Sequence, residues 1–314
     1  ALDFLQIPYD YISTQDVAKN AALNARYDVI LFPPPGGNVQ AIIQGLPQWR
    51  NALPWKNTPE TPNIGTWAQT EDLRPGLGWQ GVANLETFVK RGGVFVSVEN
   101  TADFAVQVGL TNGVSVNQPR RGEVVGTLLR SRIVDDASPI VYGVKDSLAL
   151  YSAGGETFSV SSTRGGRGGG RFAGNSDARA TGRGTADDPD VVQGRTADQR
   201  FDAPRLDPVQ PWQAAPVTDD MLRNPVGVIP PEQRPRVAVR FADQRDLLVS
   251  GLLDGGADIA QRPAVIDAPL EKGHVVLFAN NPIYRGETIG SYFLVFNTIL
   301  NFDNLNAGRK VDAR

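Results

Sequence analysis

The sequence predicts an α/β fold: a mostly parallel sheet with helices on both faces, interrupted by one irregular insertion. Three observations carry this. Val94 to Val98 (VFVSV) is apolar or small throughout, without the polar alternation of a strand that keeps one face in water. Strand-like runs alternate with segments of helical period, which points to right-handed crossovers in an open sheet. Between residues 161 and 235 the composition turns Arg/Gly- and Pro-rich, with RGGRGGGRFAGNSDARATGRG at 164–184. The predicted units are therefore an α/β domain formed by residues 1–160 and 236–314, and an insertion over 161–235.

Taken in order, residues 1–6 read as the tail of a helix and Ile7 to Ile12 as a short strand. Ser13 followed by Asp16 is a capping-box start for a short helix. Tyr27 to Phe32 (YDVILF) is a buried strand, closed by Pro33-Pro34-Pro35-Gly36-Gly37. Gln40 to Leu46 reads as helix. The stretch from Leu53 to Gly78 is rich in Pro, Gly and Trp and reads as a long loop, a kind of segment that is usually functional. Gly81 to Lys90 is a helix with Val82, Leu85 and Val89 on one face, and Gly92-Gly93 suits its C-terminus. The strand Val94 to Val98 follows. It runs into Glu99-Asn100-Thr101 and a helix marked by Ala102, Phe104, Ala105 and Val108, the corner at which α/β enzymes often hold a nucleophile.

Later strands are predicted at 124–134, 156–162, 236–242, 246–253 and 264–270. Lys272-Gly273 turns the chain into a last strand at 273–282. Ile289, Tyr292, Phe293, Phe296 and Leu300 repeat at three and four residues and predict the inward face of a closing helix.

Composition narrows the function. Across 314 residues, 31 basic side chains against 34 acidic ones leave a net charge of −3, no case for a nucleic-acid or anionic-membrane partner. The Arg/Gly run holds Phe172 as its one aromatic, with Asp177, Asp187, Asp188 and Asp190 beside it, which argues against single-strand binding. No apolar run reaches the roughly 18 residues that a membrane span needs. There is no cysteine, which excludes disulfides, thiolate nucleophiles and thiolate metal sites. The chain opens inside helix-like sequence, so a processed product or a piece of a longer protein is expected.

The order of YDVILFP, GGVFVSVENTADFAVQVG and GHVVLFANNPIYRG resembles the class I glutamine-amidotransferase-like, flavodoxin-type fold. More narrowly, residues 236–256, 262–286 and 290–305 are similar to the C-terminal domain of large bacterial zinc carboxypeptidases. That resemblance implies a metallopeptidase domain upstream, secretion or a periplasmic location, and a zinc ion held only in that upstream domain, with no cofactor in this chain. Partners would be the upstream domain or other copies of the chain.

The departures from the family decide the expected activity. The amidotransferase pattern requires Cys at the elbow and His after the late strand; here Glu99 and Ala279-Asn280-Asn281-Pro282 occupy those places. His274 is the only histidine and sits at a strand start, so a His-rich zinc site cannot be built. The leading expectation is thus a catalytically silent accessory domain for binding or assembly. Asn100, Asn280, Asn281, Tyr284 and Arg285 are the candidate ligand-binding residues, at the carboxyl ends of strands where open sheets receive ligands. A second expectation is a hydrolase using the carboxylates Glu99 and Asp103. A third is a self-assembling structural subunit. Trp49, Trp55, Trp67 and Trp79 are expected to pack the long loop onto the sheet. Asp187, Asp188 and Asp190 lack the spacing of a calcium loop.

Overall fold

In the computed structural model, which describes residues 2–49, 51–64, 69–119, 124–163, 209, 223 and 227–309, the elbow predicted at Glu99 follows a strand that lies next to one edge of an eight-stranded sheet. Its strands are β1 (Val29–Phe32), β2 (Val94–Val98), β4 (Val124–Ile133), β5 (Ser147–Ser152), β7 (Arg236–Phe241), β8 (Leu248–Leu253), β9 (Pro263–Leu270) and β10 (Gly273–Phe278). They run in the order β1-β2-β10-β9-β7-β4-β5, with β8 also paired to β4. A separate two-stranded sheet joins β3 (Val114–Asn117) to β6 (Thr157–Val160).

The sheet is mixed. Only β1–β2 and β2–β10 pair in parallel; the other pairings among the described residues are antiparallel. The mostly parallel arrangement expected from the sequence therefore holds at one end alone. The physical reason is the short turn between β9 and β10. Gly273 pairs with Leu270, leaving only Glu271 and Lys272 to reverse the chain, and a two-residue connection can only join antiparallel neighbours.

The five residues of β2 are buried on both faces, as their unbroken apolar character required. Phe95 points into one core with Val275, Leu277 and Ile266; Val94, Val96 and Val98 point into the other with Val276, Phe278 and Leu294. The first layer is closed by helices α1 (Thr14–Lys19), α2 (Val39–Gln44), α3 (Gly78–Lys90) and α4 (Asn100–Gln107). Ser13 and Asp16 form the predicted capping box. Gly92, at φ 109°, ends α3, and a Cβ on Gly93 would fall 2.4 Å from the ring of Phe88, so both glycines are required. A short helix α5 (Gln244–Leu247) leads into β8.

The opposite layer is closed by α6 (Ile289–Leu300), and here the expected inward face is corrected. Ser291, Leu294, Val295 and Thr298 are the buried residues, while Ile289, Phe293 and Leu300 face outward. Other expectations also change. Residues 2–6 form turns, and residues 7–12 have no strand partner. Trp49, Trp55 and Trp79 do not pack the long loop down: they are 73%, 43% and 70% exposed. Trp67 lies outside the described residues, as do Asp187, Asp188 and Asp190 and most of the insertion expected at 161–235. The insertion's two ends meet, since Thr163 bridges Val228 and the buried Ile229 donates its N–H to Ser162.

Candidate functional site

The carboxyl ends of β1, β2 and β10 lie side by side. Glu99 follows β2 directly at φ 53°, ψ −119°, a region that L-residues rarely enter. Its N–H donates to the Phe278 carbonyl of β10 at 2.8 Å, and its own carbonyl accepts the Ala102 N–H that opens α4. The side chain makes no capping bond, so a cap does not explain the conformation. Thr101, fully buried, holds the corner together. Its hydroxyl accepts the Val98 N–H at 2.7 Å and lies 2.7 Å from the Phe32 carbonyl at the end of β1. The strain at Glu99, about 1–3 kcal/mol, is over-determined by these bonds.

The elbow carboxyl sits in an unfavourable electrostatic environment. Burial pushes the Glu99 carboxyl up from an ordinary 4.5 to about 7, and the negative charge of Glu156 adds to the rise. Asp103, the partner expected from sequence, instead accepts from Gln107 at 2.8 Å on its own helix. The carboxylate whose charge bears on Glu99 is instead Glu156, in the turn between β5 and β6, whose Oε1 accepts from Gln118 Nε2 at 3.4 Å. Nothing in its local sequence beyond Gly154-Gly155 marks it.

The loop after β10 supplies the rest of the site. Asn281 donates its N–H to the Tyr151 carbonyl at 3.2 Å, although Tyr151 belongs to β5 at the far end of the strand order. The sheet therefore curls until its distant edge meets the loop after β10. Tyr151 and Tyr284 stack with ring centres 3.9 Å apart and planes 6° from parallel, and the Arg285 guanidinium lies 5.1 Å from the Tyr284 ring centre. Burial raises the Tyr151 phenol to about 12, helped by its hydrogen bond to Tyr284 and by the charges of Glu287 and Glu99. Tyr151, Glu99, Glu156, Tyr284 and Glu287 thus share one neighbourhood.

The candidate asparagines behave differently from one another. Asn281 turns its Oδ1 to the Ile283 N–H, a bond internal to the loop. Asn100 donates from Nδ2 to the Gly37 carbonyl at 2.9 Å, while its buried Oδ1 has no partner among the described residues. Asn280 is 0% exposed, and neither its Oδ1 nor its Nδ2 has a partner among the described residues. A buried amide left in that state costs about 1–3 kcal/mol per unpaired group. His274 is far from this chemistry: it is buried, with Nδ1 2.6 Å from Asp267.

Among the described residues no group of three or more His, Cys, Asp or Glu side chains has the arrangement to hold a metal ion. No helix there is long and apolar enough to cross a membrane.

No protein-family model matches the chain, and no curated protein matches it either. Solved structures offer distant likenesses. A cytoplasmic protein from Salmonella typhimurium shares 10% identity over 95% of this chain and 82% of its own, at a TM-score of 0.42. A GMP synthase-like protein from Thermoplasma acidophilum shares 7% identity over 96% and 84%, at 0.43. Another cytoplasmic protein, from Salmonella typhimurium LT2, shares 9% over 96% and 80%, at 0.38. Likenesses at this level say nothing of activity.

Proposed function

We propose that this chain is a non-catalytic binding domain that receives a small polar ligand at the carboxyl ends of β1, β2 and β10. The observation that carries the reading is Asn280: a fully buried amide with two donors and one acceptor unused among the described residues. A strained residue beside it, held by three strands' ends, is the kind of local cost that folds retain at ligand sites. The elbow holds a carboxylic acid in place of a thiol, and no imidazole stands near it, so acyl transfer by a thiolate has no nucleophile here. The sequence resemblance supports the wider setting: an accessory domain of a secreted or periplasmic zinc-carboxypeptidase-like protein, working beside its peptidase domain.

The test is Asn280→Leu. Leu nearly matches Asn in volume and has no polar atoms. In the free protein the substitution should raise unfolding stability by about 1–3 kcal/mol in urea denaturation, because an unpaired buried amide is removed. Destabilisation of similar size would mean that Asn280 is satisfied within the protein, and the reading would fall. Glutaminase or peptidase turnover by the purified chain would also refute it.

A second reading has one observation in its favour. A carboxyl pushed to about 7 beside another carboxylate is suited to general acid–base work near neutral pH. It is a hydrolase reading with Glu156, not Asp103, as the second carboxylate. It predicts an activity that Glu99→Gln abolishes, and a hydrolase-substrate panel that shows none removes it.

A further inference from the structure

We infer that the outer edge of β8 is an interface with a second copy of this chain, the two β8 strands pairing antiparallel about a two-fold axis at Leu252. This interface does not depend on the ligand site.

β8 pairs with the first half of β4, and among the described residues no backbone hydrogen bond joins Leu248–Leu253 to any other element. One side of the strand therefore presents N–H and C=O groups without main-chain partners there, a row that another extended backbone matches. Sheets guard such an edge with charge or proline. Leu248 to Leu253 (LVSGLL) contains neither. The strand is also held ready for pairing. Gly251, at φ 98°, lets it lie close on β4, since a Cβ there would fall 2.7 Å from the Gly126 carbonyl oxygen. The Thr127 hydroxyl donates to the Leu252 carbonyl.

Side-chain exposure selects the occupant and its register. Val124 and Leu253 lie opposite each other and pack into the core, so the next pair, Val125 and Leu252, falls on the solvent face. These two are 58% and 55% exposed, an apolar pair where a sheet face in water normally carries polar residues. A two-fold axis at Leu252 lays each Val125–Leu252 pair beside its own copy, giving one apolar row four residues wide. The backbone agrees with this register. The Leu252 carbonyl points to β4, so alternation turns the Leu253 groups outward, opposite Gly251 of the copy. Leu252 then meets its counterpart at a non-hydrogen-bonded position, with Cα atoms about 4.5 Å apart. One strand pair is small beside the roughly 800 Å² per partner of a standard interface, so the dimer should dissociate on the order of 10–100 μM.

The absence of cysteine supplies the test, because Leu252→Cys puts a single thiol in the full chain. Mild oxidation should link it into a disulfide dimer, since a Cα separation of about 4.5 Å lies within disulfide reach. Ser250→Cys, opposite a position four residues from its own copy and so roughly 13 Å away from it, should not cross-link. Sedimentation of wild type from about 1 to about 200 μM should show a monomer–dimer equilibrium, and Leu252→Lys, which sets two ammonium groups at the axis, should weaken it about tenfold or more. In wild type the Leu253 amide should exchange hydrogen more slowly at the high concentration than at the low one, a readout that needs no variant. Sedimentation without concentration dependence overturns the inference. So does a dimer in which Leu252→Cys links no better than Ser250→Cys, which places the contact elsewhere. A monomer whose Leu253 amide is already protected overturns it too, because another part of the same chain then covers the edge.

Discussion

Glu99 is held where a glycine would be more comfortable, and that can be measured directly. Glu99→Gly should be more stable than Glu99→Ala by about 1–2 kcal/mol, because both remove the carboxyl and only glycine tolerates φ 53° and ψ −119°. Urea denaturation of the two variants checks this. The same carboxyl makes stability pH-dependent. Its folded value of about 7 lies above the ordinary 4.5, so the folded state binds the proton more tightly than the unfolded chain. The Glu99 contribution is therefore fully present below pH 4.5 and is lost as pH rises through about 7. Glu99→Gln should flatten the stability profile over that window; a profile unchanged by the substitution would show that the carboxyl is not held up. At this scale the sequence was informative about position: Glu99 at a strand-to-helix corner followed from an apolar run that stops abruptly before a helical repeat. It was silent about Glu156 and Tyr151, which reach the site only because the sheet curls.

At the scale of elements, hydropathy pointed the wrong way once. Ile289, Phe293 and Leu300 are the most apolar stripe of α6, yet the helix packs through Ser291, Leu294, Val295 and Thr298. The two polar residues are satisfied locally: Thr298 donates to the Leu294 carbonyl, and Ser291 donates to the Pro282 carbonyl at 2.5 Å, so small side chains let the helix lie close to the sheet. The contrast predicts that Leu294→Ala costs about 2–5 kcal/mol in thermal or urea unfolding. Phe293→Ser, 57% exposed, should stay within about 0.5 kcal/mol of wild type. Reversal of that order would restore the face expected from hydropathy. The antiparallel β9–β10 pair was legible in Lys272-Gly273, a turn too short for anything else; the continuous apolar runs on either side argued for burial and not for strand direction.

Across the whole molecule, a chain of buried charges fastens the carboxyl-terminal segment to the sheet. Asp267, fully buried on β9, meets His274 at 2.6 Å and Arg309 at 2.5 Å. Arg236 on β7 grips Asp135 through two nitrogens and donates to the Ala307 carbonyl at 2.7 Å. Burial alone would push the Asp267 carboxyl up, but His274, Arg309 and Arg236 together hold it below its ordinary 3.8. Its contribution to stability is present above pH 3.8 and is lost as pH falls below that value. Removing one partner strands a buried charge, so Arg309→Ala should cost about 3–5 kcal/mol by urea denaturation. An effect below about 1 kcal/mol would mean that the tail is not held this way. This network explains why the lone histidine is a structural residue, a role that its position at a strand start suggested but whose partners, 42 residues apart between Asp267 and Arg309, no local pattern reveals.

The measurement that bears most directly on the elbow as a ligand-binding carboxyl is an NMR titration of the Glu99 side-chain carboxyl carbon in the intact chain. The midpoint should lie near 7 and move down in Glu156→Gln, as burial and the charge of Glu156 require. A midpoint at the ordinary 4.5, unmoved by that substitution, would contradict the account.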